Sequence, residues 1–224
     1  MELAVPGRRE RSKLEKRRRI NEAARAVFTE FGYERANMRE IAKRAGVATG
    51  TLFLYAPDKR NLLLWILNDD LDDITKTSFA SLADAHPDGD LLAQLVFVFE
   101  ARYHYWGADP DLSLRALQEL ITERDVQATP PSHIAPYLQR RVVLHEHIVA
   151  LVRTQQRRGR IRPSEDPEGV ARLILAVYNS AVRDWLRGGG VNARHGIDEL
   201  RNLLRLGLQG CAVLSGRGAG ETSN

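Results

Sequence analysis

The chain has 224 residues, of which 43% are hydrophobic and 28% charged, with 33 Lys and Arg, 29 Asp and Glu, and one cysteine. This length allows one large or two small domains, each with its own core, and the single Cys211 excludes an internal disulfide. No apolar segment follows the basic N-terminus, and no run approaches the roughly 20 apolar residues that span a bilayer. We therefore expect a soluble, cytoplasmic protein.

Positive charge is concentrated at one end of the chain. Residues 1–60 contain 15 Lys and Arg against 8 Asp and Glu, whereas the remaining residues contain 18 against 21. A basic segment followed by a nearly neutral one is typical of a polyanion-binding domain joined to a sensing or assembly domain.

The chain is predicted to be all-α, because β-branched residues fall within 3.6-residue patterns and Pro or Gly clusters separate long helical windows. Gly32 is expected to end the first helix, and Asp166 with Pro167 to begin the eighth. In chain order, the nine predicted helices span about 12–31, 38–45, 49–55, 58–85, 88–106, 110–126, 134–158, 167–187 and 197–214. The first ten residues and the tail from 216 are expected to be mobile.

The second and third predicted helices have the spacing of a helix-turn-helix unit. Ala42 is small enough for a close helix crossing, and Gly46 can adopt the positive φ of a sharp turn. Val47 and Leu52 can fill the inside of the corner. Asn37, three residues before Glu40, predicts a cap for the first helix of the pair.

These residues belong to a longer pattern that resembles the N-terminal domain of the TetR family of bacterial transcriptional regulators. The pattern consists of Ile20, Ala23, Ala24, Phe28, Gly32, Tyr33, Ile41, Ala42, Ala45, Gly46, Val47, Gly50, Thr51, Leu52, Tyr55, Pro57, Lys59 and Leu62. The rest of the chain resembles the family only in length and helical character. The resemblance implies a three-helix DNA-binding domain with a basic N-terminal arm over 1–57, an effector-binding and dimerisation domain over 58–215, and a flexible tail over 216–224.

The resemblance also implies that the third helix enters the major groove of DNA. Its side chains would offer hydroxyls and apolar contacts to base edges, and Arg39 on the preceding helix could reach a guanine or a phosphate. Tyr55 and Lys59 match positions that anchor phosphate in the family. The candidate DNA-binding residues are Arg17, Arg18, Arg39, Thr49, Gly50, Thr51, Phe53, Leu54, Tyr55 and Lys59; the alternative for each is an ordinary solvated side chain.

Three residues depart from the family pattern. Ala48 stands where Ser or Thr is usual, so the third helix lacks its usual N-cap unless Thr49 serves. Phe53 replaces a common Tyr and cannot donate a hydrogen bond to phosphate. Ala56 replaces a bulky aromatic residue, so the packing there must be filled otherwise.

The densest charge is the run Arg8, Arg9, Arg11, Lys13, Lys16, Arg17, Arg18 and Arg19. It can be a solvated helix start, or it can contact phosphates and reach into a narrow minor groove.

The larger domain is predicted to hold an effector site among aromatic side chains. The fifth helix is apolar nearly all round and contains Arg102, which either extends to the surface or is paired inside. His145 interrupts a core-facing stripe of the seventh helix, and a satisfied core histidine is the alternative to a ligand contact. The candidate effector-binding residues are Trp65, Phe99, Arg102, Tyr103, His104, Trp106, His145 and Tyr178, with core packing as the alternative for the aromatic ones. The expected effector is largely apolar or aromatic, with a polar end near Arg102, His104 or His145.

The last two helices are predicted to form a homodimer, because a helix-turn-helix protein of this size normally needs two-fold symmetry to bind an operator. Glycines in the last helix would allow close helix approach. The candidate interface residues are Ile174, Tyr178, Trp185, Leu203, Gly207 and Gly210; packing within one chain is the alternative.

Catalytic patterns are weak, and no cofactor or metal is indicated. Gly188 to Gly190 lack the preceding strand of a phosphate-binding loop. In the helix carrying His145, Glu146 and His147, Val149 takes the position of a second zinc ligand. The acidic run Asp69, Asp70, Asp72 and Asp73 is interpreted as a solvated face rather than a cation site. The sequence therefore favours a DNA-binding repressor released by a small effector, over an architectural DNA-binding protein without effector or an all-helical enzyme.

Overall fold

The computed structural model describes residues 7–121, 135–190 and 192–211, with only the backbone described at residues 10, 119–121 and 135–142. Within these ranges the chain forms nine helices and no strand, which confirms the all-α prediction. The helices are α1 (Arg8–Arg35), α2 (Met38–Arg44), α3 (Thr49–Tyr55), α4 (Lys59–Ala85), α5 (Leu91–Gly107), α6 (Pro110–Ile121), α7 (Ala135–Arg157), α8 (Pro167–Arg187) and α9 (Ala193–Leu208).

Side-chain caps fix several helix starts, including the two predicted at Asn37 and Asp166. Asn37 accepts a hydrogen bond from the Glu40 amide at 2.9 Å, which confirms the predicted cap of α2. Asp58 and Asp166 cap α4 and α8 in the same way. The predicted weakness of α3 is also present, because Ala48 makes no side-chain cap and Thr49 does not replace it. Helix α3 therefore relies on packing against its neighbours.

Three helices differ from their predicted bounds. Helix α5 begins at Leu91 rather than near residue 88. Helix α1 begins at Arg8 rather than near Ser12, and Gly32 kinks it at φ 73° and ψ 158° before one further turn. Helix α9 begins at Ala193, four residues before the predicted start, because Asn192 accepts from the His195 amide. It ends at Leu208, where a turn follows; residue 214, the predicted end, lies outside the described residues, as do residue 126 at the predicted end of α6, the first six residues and the predicted tail.

The first three helices close around a small apolar core. Helix α1 packs against α2, and α2 against α3. Gly46 has φ 63°, as the sharp turn requires, and Leu52 on α3 is fully buried. Ala56 is also buried, so a small residue fits where the family pattern has a bulky one. This packing holds α3 with one side against α2 and the other side outward.

The remaining helices surround α5. Helix α5 contacts α4 and α9, α7 and α8 pack side by side, and α8 packs against α9. Phe99, Tyr103 and Trp106 of α5 are almost completely buried, as expected for a central helix. None of the described helices is long and apolar enough to cross a membrane.

Candidate functional site

The outward side of α3 carries large apolar side chains in contact with solvent. Leu54 is 87% exposed and Phe53 is 46% exposed, whereas Leu52, which precedes Phe53, is fully buried. Thr49 and Thr51 are half-buried and Gly50 is exposed. Exposed apolar residues on a short helix are unfavourable in water unless they contact a partner. Thymine methyl groups in a major groove would accept such contacts.

Tyr55 and Lys59 border this side of α3 but already have contacts within the chain. The Tyr55 ring stacks on Trp65 with centroids 5.7 Å apart. The Lys59 ammonium donates to the Glu34 carbonyl at 2.9 Å and lies 4.5 Å from the Tyr33 ring centroid. One of three ammonium donors is thus used, and the others can still reach an anion.

The three candidate arginines differ in their surroundings. Arg39 is exposed on α2 and forms no ion pair with the described residues. Arg18 is exposed and pairs along α1 with Glu15 and Glu22, at 2.7 and 2.8 Å. Arg17 instead faces α4, where its guanidinium makes hydrogen bonds of 2.5 to 3.0 Å to both carboxylate oxygens of Asp69.

Ion pairs between α1 and α4 correct the interpretation of the acidic run as a solvated face. Asp69 pairs with Arg17 and Asp70 pairs with Arg25, both on α1. Arg17 also lies 5.2 Å from the Trp65 ring centroid. These pairs join α1 of the helix-turn-helix bundle to the long helix α4. Arg17 is therefore a residue of this junction, and its guanidinium is not available to DNA while the pair holds.

A buried polar cluster lies between α4, α5 and α8. Arg102, 7% exposed, donates from Nε to the Tyr178 hydroxyl at 3.1 Å and from Nη1 to Thr75 Oγ1 at 2.9 Å. The Trp106 indole also donates to the Tyr178 hydroxyl, at 2.8 Å. The Phe99 ring stacks on Tyr178 at 4.3 Å. Five of the eight candidate effector residues (Phe99, Arg102, Tyr103, Trp106 and Tyr178) thus share one buried region, since Tyr103 contacts Tyr178 edge-on at 6.2 Å.

Burial has an electrostatic consequence at Tyr103. Its hydroxyl lies inside the protein without a hydrogen-bond partner in the described residues. Burial raises the pKa of the Tyr103 phenol far above its usual range, with smaller contributions from Tyr178 and Glu199. Tyr103 therefore stays neutral and can act only as a neutral donor or acceptor.

The other three candidate effector residues lie elsewhere. Trp65 packs between Tyr55 and Arg17 at the junction of α1, α3 and α4. His104 is exposed on α5. His145 is half-buried where α7 meets α8, with Nε2 3.6 Å from a Glu168 carboxylate oxygen. The 3.6-residue spacing predicts on which side of its own helix each of these residues lies. It does not predict which neighbouring helix covers that side.

Comparisons with known proteins agree with the geometry of the first four helices. A family model described as "Bacterial regulatory proteins, tetR family" matches residues 20–66. The repressor KstR of Rhodococcus jostii is 29% identical over 172 residues, which cover 77% of this chain and 73% of that protein. The helix-turn-helix region of the chain is thus similar to the TetR family.

The match to other relatives is shorter. The repressor KstR of Mycolicibacterium smegmatis is 43% identical over 74 residues, covering 33% of this chain and 36% of that protein. The match thus spans about a third of that relative's length and a third of this chain.

Solved structures share the fold over nearly the whole chain. FadR of Thermus thermophilus, solved with lauroyl-CoA, has a TM-score of 0.65 at 22% identity, covering 92% of this chain and all of that one. FadR of Bacillus subtilis, solved with stearoyl-CoA, has a TM-score of 0.65 at 18% identity, covering 86% and 97%. At these identities the likeness concerns the fold.

The candidate dimer residues fall on two sides of the last helices. Ile174, Tyr178 and Trp185 are buried inside the chain, so we no longer assign them to an interface. Leu203 is 39% exposed; Gly210 is exposed and Gly207 is half-buried. Spacing alone could not separate the two sides, because α8 is apolar on the side facing the core as well as on part of its outer side.

Sequence reasoning missed two exposed leucines and one buried threonine. Leu173 on α8 is 40% exposed and Leu206 on α9 is 57% exposed. An added Cβ on Gly207 would lie 3.9 Å from Leu173, so α8 and α9 present one outer apolar face. We call the set Leu173, Leu203, Leu206 and Gly207 the α8–α9 face. Thr75, the partner of Arg102, could have been found as a polar residue on the apolar side of α4.

Asp69→Asn is expected to lower the free energy of unfolding by about 1–3 kcal/mol, because it removes a carboxylate from charge-assisted bonds with Arg17 that are partly shielded from solvent. Asp72→Asn is the matched control on the same helix, since its pair with Lys76 stays within α4 and is worth about 0.5 kcal/mol. Thermal unfolding compares the two variants. Equal losses would show that the junction between α1 and α4 adds no stability.

Proposed function

We propose that this chain is a TetR-family transcriptional repressor that binds a palindromic operator as a homodimer in the cytoplasm and is released by a small, largely apolar or aromatic effector. The observation that carries the proposal is the outward side of α3. It presents Leu54, Phe53 and the threonines on a helix held by the Gly46 turn. That is the geometry with which a recognition helix enters a major groove.

The proposal assigns DNA binding and effector binding to different helices. Helices α1 to α3 would bind DNA, and the helices from α4 onward would bind the effector and pair with a second chain. Arg39 and Lys59 would contact phosphates or bases beside α3, and the basic start of α1 would add phosphate contacts. The net positive charge of residues 1–60 supports this assignment.

Helix α4 offers a mechanism for release. It has 27 residues, about 40 Å at 1.5 Å per residue, and runs from the end of α3 past Thr75, which contacts Arg102. Two recognition helices must lie about 34–36 Å apart to enter successive turns of DNA. A small tilt of α4 would change that distance. By linkage, an effector that weakens operator binding must itself bind more weakly to the operator complex, by the same factor.

The proposal is tested by selecting bound fragments from the DNA that flanks the protein's own gene and footprinting them. We expect protection of a palindrome, with two half-sites about one helical turn apart. Small molecules are then screened for release of the bound fragment. Salt-sensitive binding without any sequence preference would favour an architectural DNA-binding protein instead. The proposed regulator needs no catalytic group, and within the described residues no cluster of three or more metal-binding side chains occurs.

Lys59→Ala is expected to weaken binding to operator DNA and to random DNA alike, because it removes a phosphate contact. It should also reduce the slope of log affinity against log salt concentration by about 1. Thr49→Ala is expected to change base preference at one position by about 1–3 kcal/mol. Fluorescence anisotropy with operator and random duplexes over a range of salt measures both effects.

The control for charge is Arg205→Ala, which removes an exposed cation from α9, away from α3. It is expected to leave both affinities within about twofold of wild type, since surface charges a Debye length or more away are screened. If Lys59→Ala leaves DNA binding unchanged at every salt concentration, Lys59 at the start of α4 does not contact the DNA backbone.

A further inference from the structure

The polar cluster around Tyr178 contains more hydrogen-bond donors than acceptors. The Tyr178 oxygen accepts from Arg102 Nε at 3.1 Å and from Trp106 Nε1 at 2.8 Å. With both lone pairs engaged, the hydroxyl hydrogen of Tyr178 needs an acceptor of its own. The hydrogen bonds of the described residues include none for it. The cluster therefore has one donor without an acceptor among the residues that the structure describes.

Arg102 adds a second unmatched group. Its Nη1 donates to Thr75 Oγ1 and more weakly to the Leu71 carbonyl, and the Thr75 hydroxyl donates onward to that same carbonyl. Its Nη2 makes no hydrogen bond within the described ranges, and no carboxylate there pairs with the guanidinium. A buried cation without an opposite charge is costly. Arg102 is nonetheless 93% shielded from solvent.

Two half-buried arginines on α1 are neutralised by carboxylates of α4. Arg17 pairs with Asp69, and Arg25 pairs with Asp70. Both are more exposed than Arg102, with 40% and 38% of their side chains accessible. The two more exposed arginines thus have carboxylate partners. Arg102, the most buried of the three, has only neutral partners among the described residues.

The same side of α4 carries further polar groups. Asn68 and Ser78 are buried, at 8% and 7% exposure, and lie within one helical face with Thr75. Neither side chain makes a hydrogen bond in the part of the chain that the structure describes. Asn68, Thr75 and Ser78 thus place polar groups along one face of α4, as in ligand sites where a few polar side chains stand among apolar ones.

We propose that Arg102 and Tyr178 form the receptor for the anionic head of the effector, and that the effector is an apolar or aromatic monoanionic acid, such as a carboxylate. A carboxylate is an acceptor-only group, so it matches the Tyr178 hydroxyl hydrogen and Arg102 Nη2 and supplies the missing negative charge. Its apolar part would lie against the rings of Phe99 and Trp106. The inference rests on the effector role proposed above but concerns ligand binding to the protein alone.

The test uses 8-anilinonaphthalene-1-sulfonate, a fluorescent apolar anion, as reporter on the full-length protein without DNA. It is displaced by 1-naphthoate or by 1-naphthamide, which have the same shape but differ in charge. The wild type is expected to bind naphthoate about tenfold more tightly than naphthamide, the range expected of charge-assisted hydrogen bonds. In Arg102→Met the preference is expected to fall to about twofold or less.

Arg153→Met is the matched control, since Arg153 lies on the surface of α7, with 57% of its side chain exposed; it should keep the preference. If Arg102→Met does not fold, Arg102→Gln, which removes the charge but keeps two donors, carries the same expectation. No binding of the reporter to wild type, no preference for naphthoate, or a preference that survives the loss of Arg102 would each overturn the proposal. Because no operator is present, failure to find an operator would leave this result unaffected.

Discussion

Leu206→Glu is expected to yield a monomer that binds operator DNA more than about a hundredfold more weakly than wild type, because two linked recognition helices gain about 10²–10⁴ in affinity over one. Leu206 is the most exposed residue of the α8–α9 face, at 57%. A carboxylate there would lose its hydration in a dimer interface without gaining a partner. Sedimentation velocity measures the mass, and anisotropy with a palindromic duplex measures the affinity.

Arg205→Glu is the control, because Arg205 is exposed on the charged side of α9, next to the stripe of Leu203 and Leu206. It changes the net charge by more than Leu206→Glu does, yet it should remain dimeric and bind the operator. Weak non-specific binding should survive in Leu206→Glu, since α1 to α3 are untouched. A wild-type monomer that protects both half-sites, or a dimeric Leu206→Glu, would contradict the assignment of the α8–α9 face.

Gly196→Ala is expected to lower the free energy of unfolding by about 1–3 kcal/mol through overpacking. Gly196 is buried in the first turn of α9, where an added Cβ would lie 2.7 Å from Tyr103 Cε1 and 3.0 Å from Trp185 Cδ1. Both rings are buried, so neither can move aside into solvent. Thermal and denaturant unfolding measure the loss, which corresponds to about 2–4 °C per kcal/mol for a chain of this size.

Gly50→Ala is the matched control for the chemical change. Gly50 also lies in a helix, but no heavy atom lies within 4 Å of its added Cβ. Alanine is favoured over glycine in a helix by up to about 1 kcal/mol, so this variant should be as stable as wild type or more so. A Gly196→Ala protein as stable as Gly50→Ala would show that α9 does not pack on Tyr103 as described.

Local chemistry was enough to predict most of the helices. Asn37 and Asp166 cap helices at the positions that their residue types indicated, because a cap depends on only three or four neighbouring residues. The Gly46 turn was predictable for the same reason. The start of α9 was missed because Asn192 caps it from a left-handed conformation, at φ 64°, which a sequence pattern does not show.

For the candidate sites, the sequence predicted which residue types would be involved better than it predicted which of those residues lie together. Phe99, Arg102 and Trp106 were expected together because they share one helix, and Tyr178 joins them from α8. Trp65 and His145 had the same apolar context in sequence but pack against Tyr55 and beside Glu168. Periodicity gives the direction of a side chain from its own helix axis and contains no information on which helix lies opposite.

By itself the sequence determined the all-α class, the basic N-terminal segment, the helix-turn-helix turn and the apolar character of α5, since each depends on residues near one another in the chain. Only the tertiary structure decided that Asp69 and Asp70 neutralise Arg17 and Arg25. The same packing left Arg102 buried beside Tyr178, 76 residues away, with neutral partners. The reason is physical: the pairing of charges and the burial of a side chain depend on contacts between distant segments, and those exist only once the helices have packed.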